Sequence, residues 1–240
     1  MPSKLTKAVW AGVFVLAAIG IAAAGVRMVI LARGPRAGLG VDEGFEAHPG
    51  LTLVHILPGL LFMLLAPLQF VPAIRARVPR LHRWIGRTVL SLALVIGSSA
   101  LVMSFRMAIG GLNEIAATVL FDLLFLFCLA RGYGAARRRD FVAHREWMIR
   151  MFGIALGIAT TRPVMGVFFA TSRLTHLTPH DFFGIAFWIG FSVTLIAAES
   201  WINYTRATTG PWLTHTAAPP PGPPAPPAAP ADSWRRAPRR

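Results

Sequence analysis

Apolar residues are gathered into six long segments, and short polar stretches separate these segments. At about 1.5 Å of rise per helical residue, most of the segments can cross a hydrocarbon core of about 30 Å. Pro58, Pro67 and Pro163 lie inside segments and predict kinks, because packed membrane helices tolerate proline. The pattern predicts six transmembrane helices, at residues 8–31, 51–71, 84–107, 115–129, 146–170 and 182–204.

The first segment shares one feature with a secretory signal peptide, since Ala22, Ala23 and Ala24 form a small-residue stretch. The apolar core of a signal peptide is about 7–15 residues long, whereas this run continues to Leu31. We therefore expect an uncleaved first helix.

Composition supports a membrane bundle, because 55% of the 240 residues are hydrophobic and only 14% are charged. In soluble domains, about a quarter of residues are charged. The fold class expected is all-α, a polytopic bundle with the lipid bilayer as its partner. A net charge of +14 does not indicate nucleic-acid binding here, because the arginines flank apolar segments. The single cysteine, Cys128, allows no disulfide framework and no cysteine-based metal site.

Lysine and arginine predict the orientation, because cationic loops resist translocation. Four arginines would lie on one side of the membrane, namely Arg33, Arg36, Arg106 and Arg173. The other side would carry Lys4, Lys7, Arg75, Arg77, Arg80, Arg83, Arg87, Arg131, Arg137, Arg138, Arg139, Arg145, Arg150, Arg206, Arg235, Arg236, Arg239 and Arg240. This asymmetry places both termini in the cytoplasm. Trp10, Trp84, Trp147 and Trp201 fall at the same ends of their segments, as interfacial tryptophans do, although Trp188 does not.

The composition changes to proline and alanine after residue 209. Such a segment has too few large apolar residues to offset the entropy cost of ordering. We therefore expect a transmembrane domain at residues 1–209, followed by a disordered, basic cytoplasmic tail at residues 210–240.

Two short motifs resemble each other. His82, Arg83 and Trp84 open the third segment, while His144 and Arg145 open the fifth, with Trp147 close behind. One interpretation is that segments two and three form a hairpin that is repeated as segments four and five. The other is that topology alone places arginine and tryptophan at the start of any helix that runs outward.

With these motifs, the chain resembles the bacterial predicted membrane proteins grouped as domain of unknown function 2306. The resemblance covers roughly residues 48–205 and implies a bacterial cytoplasmic (inner) membrane location, but it implies no activity. Its motifs are His55 with Gly59, residues 67–70, His82 and Arg83 with Gly86, His144 and Arg145, residues 147–150, and Arg162.

Polar residues within apolar segments are costly in lipid and are therefore candidates for function. They are His55, Gln69, Asp122, Arg162 and Glu199. Asp122, Arg162 and Gln69 could form a polar path for a transporter. Alternatively, Asp122 and Arg162 pair with each other and with Thr160 or Thr161. Gly153 and Gly157 have the spacing that lets a neighbouring helix approach closely.

His82 and His144 could ligate one b-type heme if the two hairpins repeat, because they would then lie at equal depth. Arg83, Arg87, Arg145 and Arg150 are the candidate partners of its propionates. Such a site would resemble the helix-bundle cytochromes b, including the cytochrome b561 type. The chain departs from that type because its fourth segment has no histidine, so His55 lacks a partner. The alternative is that both histidines merely lie beside lipid headgroups.

Three classes of function remain open, and whether the protein is an enzyme is also open. The first is a heme electron-transfer protein that works with a quinone or another redox partner. The second is a cofactor-free transporter, and the third is a structural or assembly protein. A metal site formed by His48, His55, His176 and His180 is a weaker hypothesis, because His176 and His180 are separated by Pro179.

Overall fold

The computed structural model describes residues 4–33 and 43–209, and six of its helices are long and apolar enough to cross a membrane. The predicted all-α fold with six spans is therefore confirmed, and the protein is a multi-pass membrane protein. The helices are α1 Lys4–Arg33, α2 Glu43–Ala47, α3 Pro49–Leu65, α4 Pro72–Arg77, α5 Pro79–Arg106, α6 Gly111–Arg137, α7 Phe141–Thr175 and α8 Pro179–Thr209. A 3₁₀ turn at Pro67–Phe70 follows α3.

The spanning helices extend beyond the apolar runs that predicted them. The fifth run covers residues 146–170, but α7 has 35 residues. Its start is capped by Asp140, whose carboxylate accepts a hydrogen bond of 3.0 Å from the Ala143 amide. Backbone hydrogen bonding thus continues into polar sequence, where hydropathy gives no signal.

The three prolines behave differently from one another. Pro58 and Pro163 lie inside α3 and α7 without interrupting either helix. Pro67 lies at a boundary, because α3 ends at Leu65 and the 3₁₀ turn begins at Pro67. A proline therefore ends the helix at only one of the three places where a kink is predicted.

Five of the spanning helices form a ring. Around the ring, α1 packs against α3, α3 against α5, α5 against α6, α6 against α7, and α7 against α1. The end of the bundle at which α5 and α7 begin carries Arg80, Arg83 and Arg137, and we call it the arginine-rich end. The opposite end, at which α6 begins, is the far end.

The sixth span, α8, packs against α7 through small residues. A Cβ at Gly153 would lie 2.8 Å from the Ala198 Cβ, and a Cβ at Gly157 would lie 2.9 Å from the Phe191 Cα. The predicted close approach at Gly153 and Gly157 is therefore confirmed. Against α6, the Trp188 indole of α8 donates a hydrogen bond of 2.9 Å to Asn113.

An aromatic cluster fills the centre of the ring. Phe62 is 1% exposed, and its ring centroid lies 6.4 Å from that of Phe125 and 6.3 Å from that of Phe152. Phe70 continues the cluster, at 5.3 Å from Phe152. We call these four residues the aromatic plug, because they separate the two halves of the ring.

The short helix α2 is fastened to its neighbours at the far end. The Thr52 hydroxyl of α3 lies 3.1 Å from the Phe45 carbonyl oxygen, within hydrogen-bonding distance. Gly44 packs so closely against α5 that a Cβ would lie 3.0 Å from the Cβ of Met107. This helix was not predicted, because five residues show no clear periodicity.

The compact unit that contains the spans ends at Tyr204, and residues 205–209 are also helical. The predicted tail at residues 210–240 lies outside the described residues, so it remains a prediction. The orientation with both termini in the cytoplasm is untested as well.

Candidate functional site

A cavity of about 630 Å³ lies on the far side of the aromatic plug. It is lined by residues of α1, α2, α3, α5, α6, α7 and α8, and Phe62 and Phe125 of the plug form part of its wall. The volume lies within the range of about 300–1,000 Å³ that is typical of small-molecule sites. We call it the far cavity. Its ionisable lining residues are Arg27, His55, Glu114, Asp122 and Arg162.

His55 lines this cavity and is hydrogen-bonded to Ser99 of α5. Its Nδ1 lies 2.9 Å from the hydroxyl oxygen of Ser99. The single proton of that hydroxyl is directed at the carbonyl oxygen of Val95, 2.7 Å away, or of Ile96, 2.9 Å away. In the tautomer in which Ser99 donates to either carbonyl, Nδ1 of His55 donates to the Ser99 oxygen and Nε2 carries the lone pair.

Glu114 is the carboxylate that sequence reasoning missed. It is 8% exposed and accepts hydrogen bonds from the backbone amides of Ile109, at 2.8 Å, and Gly110, at 2.6 Å. The carboxylate thus satisfies amides at the start of α6. It lies at the edge of a loop, and so it did not stand out as an intramembrane residue.

Asp122 lies deeper in the cavity and is less well satisfied. Its Oδ2 is buried and has no hydrogen-bond partner. Its Oδ1 lies 3.3 Å from the position that a Cβ would take at Gly97 of α5. The absence of a side chain at Gly97 therefore makes room for this carboxyl group.

Arg162 faces the same cavity from α7, and none of the described residues accepts a hydrogen bond from its guanidinium. The predicted pairing with Asp122 and with Thr160 or Thr161 is therefore wrong. Both threonine hydroxyls donate to carbonyls of their own helix instead, Thr160 at 3.3 Å and Thr161 at 2.7 Å. Such back-bonding is the usual alternative for threonine within a helix.

Arg27 also faces the cavity. Its guanidinium carbon lies 3.9 Å from the ring centroid of Phe45 in α2, which is cation–π geometry. It is close enough to Arg162 for the two charges to interact. Arg27 was not among the polar residues selected from the sequence.

His82 and His144 meet at the arginine-rich end, close enough for their charges to interact. The Nδ1 of His144 donates a hydrogen bond of 2.9 Å to the Gly132 carbonyl, so Nε2 carries the lone pair. The Nδ1 of His82 is buried without a partner. The cations close to His82 include Arg83 and also Arg75, which sequence reasoning did not select.

Of the four candidate propionate partners, Arg150 is engaged elsewhere. Its Nε donates to Glu199 of α8, and its Nη2 donates to the second oxygen of that carboxylate at 2.9 Å. Arg87 lies over the Trp84 ring, at 5.8 Å from its centroid. Arg83 lies close to His82, and Arg145 lies close to Arg75, which is itself close to His82. Glu199 thus has a partner that was not foreseen.

Gln69 lies on the arginine-rich side of the plug and is not part of the far cavity. Its Oε1 lies 3.1 Å from the position that a Cβ would take at Gly86, and its Nε2 has no partner. Phe62 and Phe125 close the cavity on this side. The predicted polar path therefore includes Asp122 and Arg162, but it does not reach Gln69.

The histidines of the far end do not assemble into a metal site. Among residues 4–33 and 43–209, no group of three or more potential ligands could hold a metal ion. His176 ends α7 in a left-handed conformation with a φ of 57°.

The family model described as predicted membrane protein DUF2306 matches residues 52–202, which is more than half of the chain. The chain belongs to this family. The match begins in α3 and ends in α8, so it includes His55, Asp122, Arg162 and the histidine pair, whereas Arg27 precedes it. No curated protein and no solved structure matches the chain.

Proposed function

We propose that the protein binds a small amphipathic molecule, drawn from the bilayer, in the far cavity. The observation that carries this proposal is the convergence of His55, Asp122 and Arg162 on one apolar chamber. They come from three different helices of the ring, α3, α6 and α7. A largely apolar pocket with a few convergent polar groups is the usual form of a small-molecule site.

The cost of these groups supports the proposal. A polar group that is buried without a partner destabilises a protein by about 1–3 kcal/mol, and intramembrane charges cost more. Asp122 and Arg162 lie in one cavity and yet do not pair with each other. A ligand with complementary polar atoms would offset this cost.

The aromatic plug supports binding more directly than transport. Phe62 and Phe125 form both the cavity wall and the core, so the cavity is closed toward the arginine-rich end. Movement of a ligand across the membrane would require these rings to move apart. The cofactor-free transporter remains compatible with this site, but it needs that additional step.

Photo-crosslinking in nanodiscs of phosphatidylcholine tests this proposal. The probe is a methyl ester of dodecanoic acid that carries a diazirine at the end of its chain. Gly59 of α3 lines the cavity, and a Cβ at this position would meet nothing within 4 Å, so Gly59→Phe should place a ring in the cavity and reduce its volume. Gly50→Phe is the matched control, since Gly50 lies on the same helix, also has open space, and is outside the cavity.

We expect labelled peptides from the cavity lining in the wild type and in Gly50→Phe. In Gly59→Phe, labelling of these peptides should fall at least tenfold. Equal labelling in both variants, or labels confined to lipid-facing residues, would reject the proposed function.

A second candidate function is electron transfer through a b-type heme held by His82 and His144. The supporting observation is the proximity of two imidazoles, one of them oriented by the Gly132 carbonyl as metal-bound histidines are by their neighbours. The buried Nδ1 of His82 has no hydrogen-bond partner, and an imidazole nitrogen of this kind is a suitable ligand for heme iron. Arg83 and Arg145 would hold the propionates. When bound, the heme would supply one-electron chemistry with a quinone or another redox partner.

A reduced-minus-oxidised absorption spectrum of protein from heme-supplemented cells tests this second candidate. The wild type and a His176→Ala control should show a Soret band, whereas His82→Ala and His144→Ala should lose six-coordinate iron. A wild-type protein without a Soret band would exclude the heme.

The arginine-rich end faces the cytoplasm of a bacterial inner membrane in this proposal. The support is the charge asymmetry of the chain and the bacterial family that it resembles. Reporter fusions at Arg138 or after residue 209 should report the cytoplasm, and a fusion at His176 should report the exterior. An exterior signal at Arg138 would contradict this orientation.

A further inference from the structure

We propose that Arg162 holds the carboxylate or phosphate head of an amphipathic anion whose apolar body fills the far cavity. This inference rests on the proposed function and names the chemical class of the ligand. It starts from a guanidinium that faces the cavity from within a spanning helix and has no acceptor among the described residues. Within a bilayer, such a cation requires a countercharge.

The carboxylates that line the same cavity do not supply this countercharge. Glu114 is held at the start of α6 by the amides of Ile109 and Gly110. Asp122 lies against Gly97 of α5, with its Oδ2 unpartnered. Neither forms an ion pair with Arg162, so the guanidinium remains open to an anion from outside the chain.

A second cation on the same side of the cavity strengthens the argument. Arg27 of α1 is close enough to Arg162 for their charges to interact, and like charges repel. Because α1 packs against α7, the two guanidiniums share one wall of the ring. An anion held by Arg162 would weaken this repulsion. The planar guanidinium also matches the geometry of carboxylate and phosphate oxygens.

The remainder of the cavity suits an apolar body. Beyond its charged residues, the lining is mainly aliphatic, aromatic and methionine side chains, including Met63, Ile158, Met165, Phe169 and Phe187. Methionine and phenylalanine adapt to chains of varied shape. The cavity thus has guanidinium groups at one wall and an apolar chamber beside them. This arrangement suits an amphipathic acid, either a fatty acid or a phosphate-bearing lipid.

The test compares a diazirine-bearing dodecanoic acid with its methyl ester on the full-length protein in phosphatidylcholine nanodiscs. Arg162→Gln removes the charge, and Arg162→Lys retains it without the planar fork. Arg173→Gln is the matched control, because Arg173 lies on the same helix but outside the cavity. Unlabelled dodecanoate, dodecyl phosphate and inorganic phosphate serve as competitors.

In the wild type, the acid should label cavity peptides at a concentration at least tenfold lower than the ester does. Arg162→Gln should abolish this preference while the ester still labels, Arg162→Lys should retain part of it, and Arg173→Gln should leave it unchanged. Competition by dodecanoate but not by dodecyl phosphate would identify a fatty acid, and the reverse would identify a phosphate-bearing lipid.

Several outcomes would overturn this inference. Unchanged preference for the acid in Arg162→Gln would exclude Arg162 as the anion site. Equal labelling by acid and ester in the wild type would exclude a preference for an anionic head. It would leave the proposed function intact, provided that Gly59→Phe abolishes labelling by both probes. Absence of cavity labelling by either probe would reject both proposals. Competition by inorganic phosphate as strong as that by dodecyl phosphate would show that the apolar body is not required.

Discussion

The two halves of the bundle differ in whether their intramembrane charged residues form ion pairs. In the arginine-rich half, Arg150 and Glu199 form a bidentate pair and His144 bonds to the Gly132 carbonyl. In the far half, Asp122 and Arg162 share a cavity but do not pair with each other, and the Oδ2 of Asp122 has no hydrogen-bond partner. The aromatic plug lies between the halves.

This contrast indicates that the arginine-rich half mainly stabilises the bundle, whereas the far half forms the binding site. Lipid gives helices no hydrophobic reason to associate, so close packing and interhelical hydrogen bonds must hold them together. The plug, the glycine contacts of α7 and α8, and the Arg150–Glu199 pair provide such contacts. Around the far cavity, the helices are less closely packed and the Oδ2 of Asp122 has no partner. Binding sites often sacrifice stability in this way.

The largest expected loss of stability would come from the plug. Phe62→Ala removes a ring that is 1% exposed, and truncation of a buried phenylalanine costs about 3–5 kcal/mol, or roughly 6–20 °C in melting temperature. Differential scanning fluorimetry in detergent measures it. Phe105→Ala is the control, because Phe105 is 68% exposed and should shift the melting temperature little. Equal shifts would mean that the aromatic plug contributes no more stability than an exposed ring.

The next largest effect should come from the α7–α8 contact. In Gly157→Ala, the new Cβ would lie 2.9 Å from the Phe191 Cα, which forces the helices apart at a cost of about 1–3 kcal/mol. Gly166→Ala on the same helix meets nothing within 4 Å, so it should be neutral or stabilising. Thermal unfolding distinguishes them. A neutral Gly157→Ala would mean that the contact contributes no stability.

A moderate effect is expected at the Arg150–Glu199 pair. The two side chains are 17% and 40% exposed. The contribution of the pair to the free energy of unfolding should therefore lie between those of surface and buried pairs, at about 1–2 kcal/mol. A double-mutant cycle of Arg150→Met and Glu199→Gln measures the coupling between them. Coupling near zero would show that the pair does not stabilise this half.

The smallest effect should come from the tail. Because its composition predicts no docking, truncation after residue 209 should leave membrane insertion and melting temperature nearly unchanged. A fall of more than about 4 °C would correspond to roughly 1 kcal/mol or more. That result would place a stabilising contact outside both halves.

Periodicity and hydropathy were sufficient for the spans, because lipid requires long apolar helices. They also identified Gly153 and Gly157, whose spacing places both on one face of α7. Asp122 and Arg162 were identified as polar residues that are costly in lipid, but the predicted pairing between them was wrong. The reason is that α6 and α7 leave a cavity at this level instead of bringing the two side chains together, which local sequence does not encode.

Other features were beyond sequence reasoning for equally specific reasons. Arg150 was read as a propionate partner because its neighbour Glu199 is 49 positions away in the chain. Glu114 was missed because its partners are loop amides, which every residue possesses. The plug depends on four phenylalanines drawn from three spans and a turn, and no single segment shows it.

The contacts that hold α2 in place affect the route by which a ligand reaches the far cavity. Phe45 forms part of the cavity wall, while Thr52 and Met107 hold the short helix against α3 and α5. Because Phe45 lines the cavity, a molecule that entered from the aqueous phase beside α2 would have to pass this helix, whereas one dissolved in the membrane would have to pass between spanning helices. Occupancy should then follow the concentration within the lipid. Since each methylene favours partition by about 0.8 kcal/mol, longer chains should saturate the protein at far lower total concentration than shorter chains do.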